Sequence, residues 1–186
     1  MLHLATTHLV DALSTYIDVR TGTADAVVQS QLVDQGTGRL SITGKLVLSV
    51  VRLEEDRLSR SVEHYERVEG GAVRAVEPPV RLTAWLLLAA THDTYTEALK
   101  AVGHAVTFFQ HLRSVDFAAI DGVEDTGRLL IEMDSPTFEE MNHLWGTVGA
   151  KYLPSVLYRV RLLSLTDARP AAAQPAIGRL DITAEA

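Results

Sequence analysis

Hydrophobic and polar positions divide this chain into alternating strand-like and helix-like stretches. Leu2, Leu9, Leu13, Tyr16 and Ile17 fall near one face at helical spacing, with Asp11 and Asp18 on others, so Leu2–Val19 is predicted as a helix. Thr21-Gly22 stops it, glycine suiting the position just past a helix end. A short β-branched run, Ala26–Val33, reads as a strand, and Gly36-Thr37-Gly38 as a turn. Leu46–Leu53 (LVLSVVRL) is apolar on both faces except at Ser49 and Arg52, the mark of a strand covered on two sides.

The densely charged stretch Glu54–Glu77 reads as solvated surface, with a flexible arm or partner-binding ribbon as the alternative, since Gly70-Gly71 is able to turn a hairpin. Pro78-Pro79 ends it, and proline is tolerated where a strand begins. In Val80–Ala90, Val80, Leu82, Ala84, Leu86 and Leu88 point one way and Arg81, Thr83, Trp85, Leu87 and Ala89 the other. The second side is polar at Arg81 and Thr83 and apolar from Trp85 onward, so the strand enters the core as it runs.

Asp93 or Thr94 is placed to cap the next helix, with Glu97 completing a capping box on Thr94. Tyr95, Ala98, Leu99, Val102, Val106, Phe109 and Leu112 form its predicted apolar stripe. Asp116–Gly127 is expected to be loop, and Arg128–Asp134 a strand with Leu129, Ile131 and Met133 on one face. Ser135 as N-cap and Pro136 as first helical residue are predicted to open a helix whose apolar face holds Phe138, Met141, Leu144, Trp145 and Val148, and Gly149 ends it. Ser155–Thr166 is the last strand, with Val156, Tyr158, Val160 and Leu162 on one side and Leu157, Arg159, Arg161, Leu163 and Leu165 on the other. Beyond Asp167 the composition turns Ala/Pro-rich, and Ile177–Thr183 is a short alternating piece that reads either as a frayed end or as a strand able to pair with a neighbour's sheet edge. The fold class is therefore α/β (α+β): one domain over 1–166 with a central mixed sheet flanked by helices, and a tail over 167–186.

Composition narrows the function more than it identifies it. A hydrophobic fraction of 47% supports a sizeable core. The net charge of −7 is a poor electrostatic footprint for nucleic acid, so no nucleic-acid partner is expected. With no cysteine, disulfides, thiolate zinc sites and cysteine nucleophiles are ruled out. The N-terminus lacks a basic segment ahead of its apolar residues, and the longest apolar run, Ala84–Ala90, is too short to span a bilayer, so a cytoplasmic protein without membrane contact is expected.

Candidate chemistry is thin. His104 and His111 lie two turns apart on one helix, whereas a helical metal pair wants i, i+4. Glu140 and His143 have the Glu-x-x-His spacing of di-iron bundles, but no second such motif exists. No nucleophile elbow, phosphate loop or dinucleotide fingerprint appears, so neither an enzyme nor a cofactor or metal site is expected. Trp85, Trp145 and Tyr158 are candidate interface anchors, with core packing as the default because each lies in an apolar periodic segment.

The order of these pieces resembles the cap, or tail-terminator, family of contractile injection systems, of the antifeeding-prophage and Photorhabdus-virulence-cassette type. A first helix is followed by a strand similar to the family's LYRI type, here Leu48–Leu53 (LSVVRL), and a charged excursion. A double proline then leads into a strand and helix, here PPVRLTAWLLLAATHDTYTEALKAVGHAVTFFQHL. RLLIEMDSPTFEEMNHLWGTVG supplies the helix ending in leucine-tryptophan, and LPSVLYRVRLLSLTD the closing strand. Where the family often has an arginine-asparagine pair, this chain has Arg57-Leu58 and then Arg60-Ser61. The resemblance implies a structural protein, a homo-oligomer in a hexameric ring at the baseplate-distal end of a phage-tail-like particle, with inner-tube and sheath proteins as partners. A non-capping adaptor of such an assembly is the alternative. The residues expected at its interfaces are Arg52, Arg57, Arg60, Tyr65, Arg159, Arg161, Ile177, Leu180 and Ile182.

Overall fold

The computed structural model describes residues 2–55, 82–123 and 127–162, together with the backbone of 65–67 and 73–75. Helix α1 (Leu2–Thr21) buries Ala5, Leu9, Leu13 and Ile17, one residue per turn, and Leu2 and Tyr16 pack at the margin of that line. Thr6 is also buried, its hydroxyl donating to the Leu2 and His3 carbonyls at 3.1 and 3.0 Å. Gly22 ends the helix at φ +70°, and its N–H reaches the Asp18 carbonyl at 2.7 Å.

The strands that follow are β1 (Val27–Gln29), β2 (Leu46–Glu55), β3 (Tyr65–Arg67), β4 (Val73–Ala75), β5 (Leu82–Ala90), β6 (Ser114–Asp116), β7 (Arg128–Asp134) and β8 (Ser155–Leu162). Six of them form one sheet in the order β1-β2-β5-β8-β7-β6. Only β1 and β2 run parallel, so the sheet is mixed, as expected. β3 and β4 pair antiparallel as a separate two-stranded sheet, with Gly70-Gly71 in the segment between them. Predicted strand residues Val80, Arg81 and 163–166 lie outside the described residues.

The alternation of β5 is realised on both faces. Ala84, Leu86, Leu88 and Ala90 face the larger core under α1 and under α2 (Tyr95–His111). Leu87 and Ala89 face a second core with Val47 and Leu157, closed by Trp145 of α3 (Phe138–Val148) and by Leu32. β1 is shorter than the predicted Ala26–Val33: the Ser30 N–H still bonds the Leu48 carbonyl, but the chain then crosses to the second face, where Leu32 is buried. Asp34 holds the following turn by accepting from the Thr37 N–H and hydroxyl, both at 2.8 Å.

Four expectations need correction. On α2 the buried line runs through Ala98, Ala105 and Phe109, while Tyr95 is 69% exposed and Leu99 is also exposed. Small alanines let the helix lie close to the sheet, and the larger side chains flank that contact rather than centring it. Thr94 caps α2, yet Glu97 turns to Lys100 at 2.8 Å instead of closing a capping box. The full box is at α3, with Thr137 rather than Ser135 as N-cap: Glu140 accepts from the Thr137 N–H at 2.8 Å while Thr137 accepts from the Glu140 N–H. Satisfying two orphan donors reciprocally outweighs the single bond that Ser135 offers.

The fourth correction is the expected loop Asp116–Gly127. It opens with the end of β6 and a 3₁₀ turn over Phe117–Ala119, in which Phe117 is 0% exposed and Ile120 buried. Two apolar residues among Asp, Ala and Gly lack any period, so only the assembled fold shows that both join the larger core. Phe117→Ala is expected to cost about 3–5 kcal/mol in urea denaturation, against no more than about 0.5 kcal/mol for Phe138→Ala, which starts from the surface.

Candidate interaction surfaces

The second face of the sheet is only half covered. Beyond the core under α3, it carries a row of side chains in register: Arg52 on β2 stands opposite Trp85 on β5, which stands opposite Arg159 on β8, which stands opposite Glu132 on β7. A β-bulge between Val50 and Arg52 places Arg52 in this row. The Arg52 guanidinium lies 4.6 Å from the Trp85 ring centroid and pairs with Glu54 at 2.7 Å. The Trp85 indole donates to Asp134 at 2.8 Å, and Glu132 accepts from Arg159 at 3.1 Å and Arg161 at 2.7 Å.

These groups remain well exposed, so each ion pair contributes only a fraction of a kcal/mol to stability. Their consequence is geometric: three arginines are held in register on a water-facing β surface. A cleft of about 620 Å³ separates this platform from α3, with Arg52, Trp85, Asp134, Glu140 and His143 on its walls.

Burial acts to raise the Glu132 carboxyl, but the hydrogen bonds and positive charge of Arg161 and Arg159 outweigh it and hold the group below the usual glutamate value. That depression stabilises the fold above the unfolded-state pKa and is lost as pH falls through the lower folded value. Glu132→Gln is expected to lower stability by about 0.5 kcal/mol at neutral pH, with the two proteins converging in acid, in denaturation curves taken across that range.

Of the residues expected at interfaces, Arg52, Arg159 and Arg161 are brought onto this one platform. Arg57, Arg60, Ile177, Leu180 and Ile182 lie outside the described residues, and Tyr65 sits in β3, where the backbone alone is described. The platform's acidic members, Glu132 and Asp134, were missed. Their spacing on β7 alternates with Leu129 and Ile131, a signal that becomes informative only once β7 is known to lie beside β8. Trp145 and Tyr158 are core residues, and burial pushes the Tyr158 hydroxyl up to about 12. Trp85 is half-buried between the two roles.

A second surface follows the outer side of α3. Phe138 is 97% exposed, and Tyr152 is exposed while its ring stands edge-on to Trp145 at 5.6 Å. The expected apolar face of α3 is thus split, with Trp145 turned inward and Phe138 outward. Among the described residues, no group of three or more His, Asp or Glu is placed to hold a metal ion. Nor is any described helix long and apolar enough to cross a membrane.

The described residues thus form a mixed six-stranded sheet with helices on both faces. The chain belongs to the Pvc16 N-terminal domain family, whose sequence model matches residues 5–179. Two solved structures share the fold. One is the tube-terminating cap of the anti-feeding prophage, with TM-score 0.58 and 15% identity over 94% of this chain and 59% of that one. The other is the PVC sheath/tube terminator of an extracellular contractile injection system in its extended state, with TM-score 0.57 and 16% identity over 95% of this chain and 64% of that one. The chain spans less than two thirds of either structure, and at this identity the likeness is one of fold. No curated protein matches the chain.

Proposed function

We propose that this protein is the structural cap of a contractile injection system or phage-like tail: a ring, hexameric in our reading, that ends the tube and sheath at the point farthest from the baseplate. Membership of the Pvc16 N-terminal domain family across residues 5–179 carries this reading. The fold shared with caps from two such systems supports it.

The physics of the chain suits the task. Terminating a polymer requires no reaction, only a rigid body that adds to the growing end and offers no further site. A closed cyclic ring meets that requirement. Each contact stays modest because several subunits engage one repeating end together. In this reading the exposed platform of Arg52, Arg159 and Arg161 faces tube or sheath, with Arg57, Arg60 and Tyr65 at neighbouring contacts. The protein is made in the cytoplasm and incorporated into the particle there. The related structures are caps and terminators, which favours capping over an adaptor that binds without ending the tube.

Deleting the gene in its host and measuring particle lengths by negative-stain electron microscopy tests this. Overlong, ragged or absent particles, restored by the intact gene, are the expected result; an unchanged, uniform length overturns capping in favour of the adaptor. Complementation with Arg159→Glu/Arg161→Glu is expected to leave a folded protein that fails to restore length control.

A further inference from the structure

The strongest unassigned feature is the outer edge of β2. β1 pairs only with Leu46–Leu48, and among the described residues no strand lies beside the remainder of β2 on that side. The edge is amphipathic. Val50 and Leu53 are 37% and 51% exposed on one face, while Arg52 and Glu54 are exposed on the other. Exposed apolar edges of this kind invite pairing with another strand, and stable proteins cover or blunt them.

The chain holds a segment of matching chemistry. In Ile177–Thr183 (IGRLDIT), Leu180 and Ile182 fall on one face, and Arg179 and Asp181 on the other. Set antiparallel to β2 with Leu180 beside Leu53, Arg179 meets Glu54 and Asp181 meets Arg52, and Ile182 reaches Val51 at the bulge. Set parallel in the same register, Arg179 meets Arg52 and Asp181 meets Glu54, so like charges oppose each other. Charge therefore selects the antiparallel pairing.

The path of the chain bears on whose edge is covered. β8 ends at Leu162, opposite Leu82, which is itself opposite Glu55 at the end of β2. Returning to the edge of its own β2 means crossing only about 15 Å, three strand spacings. Residues 163–176, with Pro170 and Pro175, span roughly 40 Å when extended. That reach is sufficient for the same edge on a neighbouring copy as well as on its own subunit.

We propose that Ile177–Thr183 of one copy adds as an antiparallel strand to the outer edge of β2 in the next copy, linking the subunits in a chain of exchanged strands. Its place in a ring rests on the capping reading above, but the pairing itself belongs to the protein alone. The absence of cysteine makes it directly testable.

Full-length Leu53→Cys protein is mixed at high concentration with full-length Leu180→Cys protein carrying a size tag, then mildly oxidised and run on non-reducing gels. A mixed disulfide dimer is expected, with far less product when Arg179→Cys replaces Leu180→Cys, because that side chain falls on the opposite face. Arg179→Glu in the Leu180→Cys partner is expected to cut the yield roughly fivefold, and Glu54→Lys in the Leu53→Cys partner to restore it. The same cross-link is sought in particles isolated from the host. No mixed dimer in either setting, equal yields from both tail positions, or a disulfide confined within single chains carrying both Leu53→Cys and Leu180→Cys overturns the proposal. Particle length in the gene deletion reads capping separately, so failure of strand exchange and failure of the cap assignment remain distinguishable.

Discussion

The packing of β5 between β2 and β8 is the constraint on which the rest of the structure depends. Leu86 and Leu88 of that strand face one core, and Leu87 and Ala89 face the other. A slip of one residue would exchange the two sets and put Thr83 and Trp85 beneath the helices. With β5 in place, α1 and α2 have one apolar face to cover and α3 has another. The partners of β5 also carry its register outward, to Arg52 on one side and, through Arg159, to Glu132 on the other.

That propagation is why the surface is ordered. The arginine platform is not a cluster of long side chains meeting by chance, since each member stands at a fixed rung of a ladder whose lower rungs are in the core. Trp85 links the two regimes, with its indole N–H on Asp134 and its ring beneath the Arg52 guanidinium. The contribution of these contacts to folding is small. Their orientation is maintained by the apolar rungs, which is the arrangement a repeating contact in a symmetric assembly needs.

The unequal lengths of β1 and β2 follow from the same economy of burial. Once Leu32 is committed to the second core, β1 cannot continue beside β2, and the far half of β2 lacks a strand on that side among the described residues. Closing the small core thus leaves that stretch of β2 without a neighbouring strand among the described residues.

Much of the fold was legible in the chain. The two-sided alternation of Leu82–Ala90, the helix stops at Gly22 and Gly149, and the strand at Leu129–Ile131 depend on local periodicity and backbone chemistry, which a sequence states directly. The order of these elements also pointed to the family before the match over residues 5–179 established it. Tertiary structure alone decided the rest. That Phe117 is core and Phe138 is surface, that Thr137 rather than Ser135 caps α3, and that Glu132 joins Arg159 and Arg161 all depend on which elements lie side by side. Periodicity gives a residue its face along one element. What covers that face depends on partners distant in sequence, and only the assembled sheet brings them together.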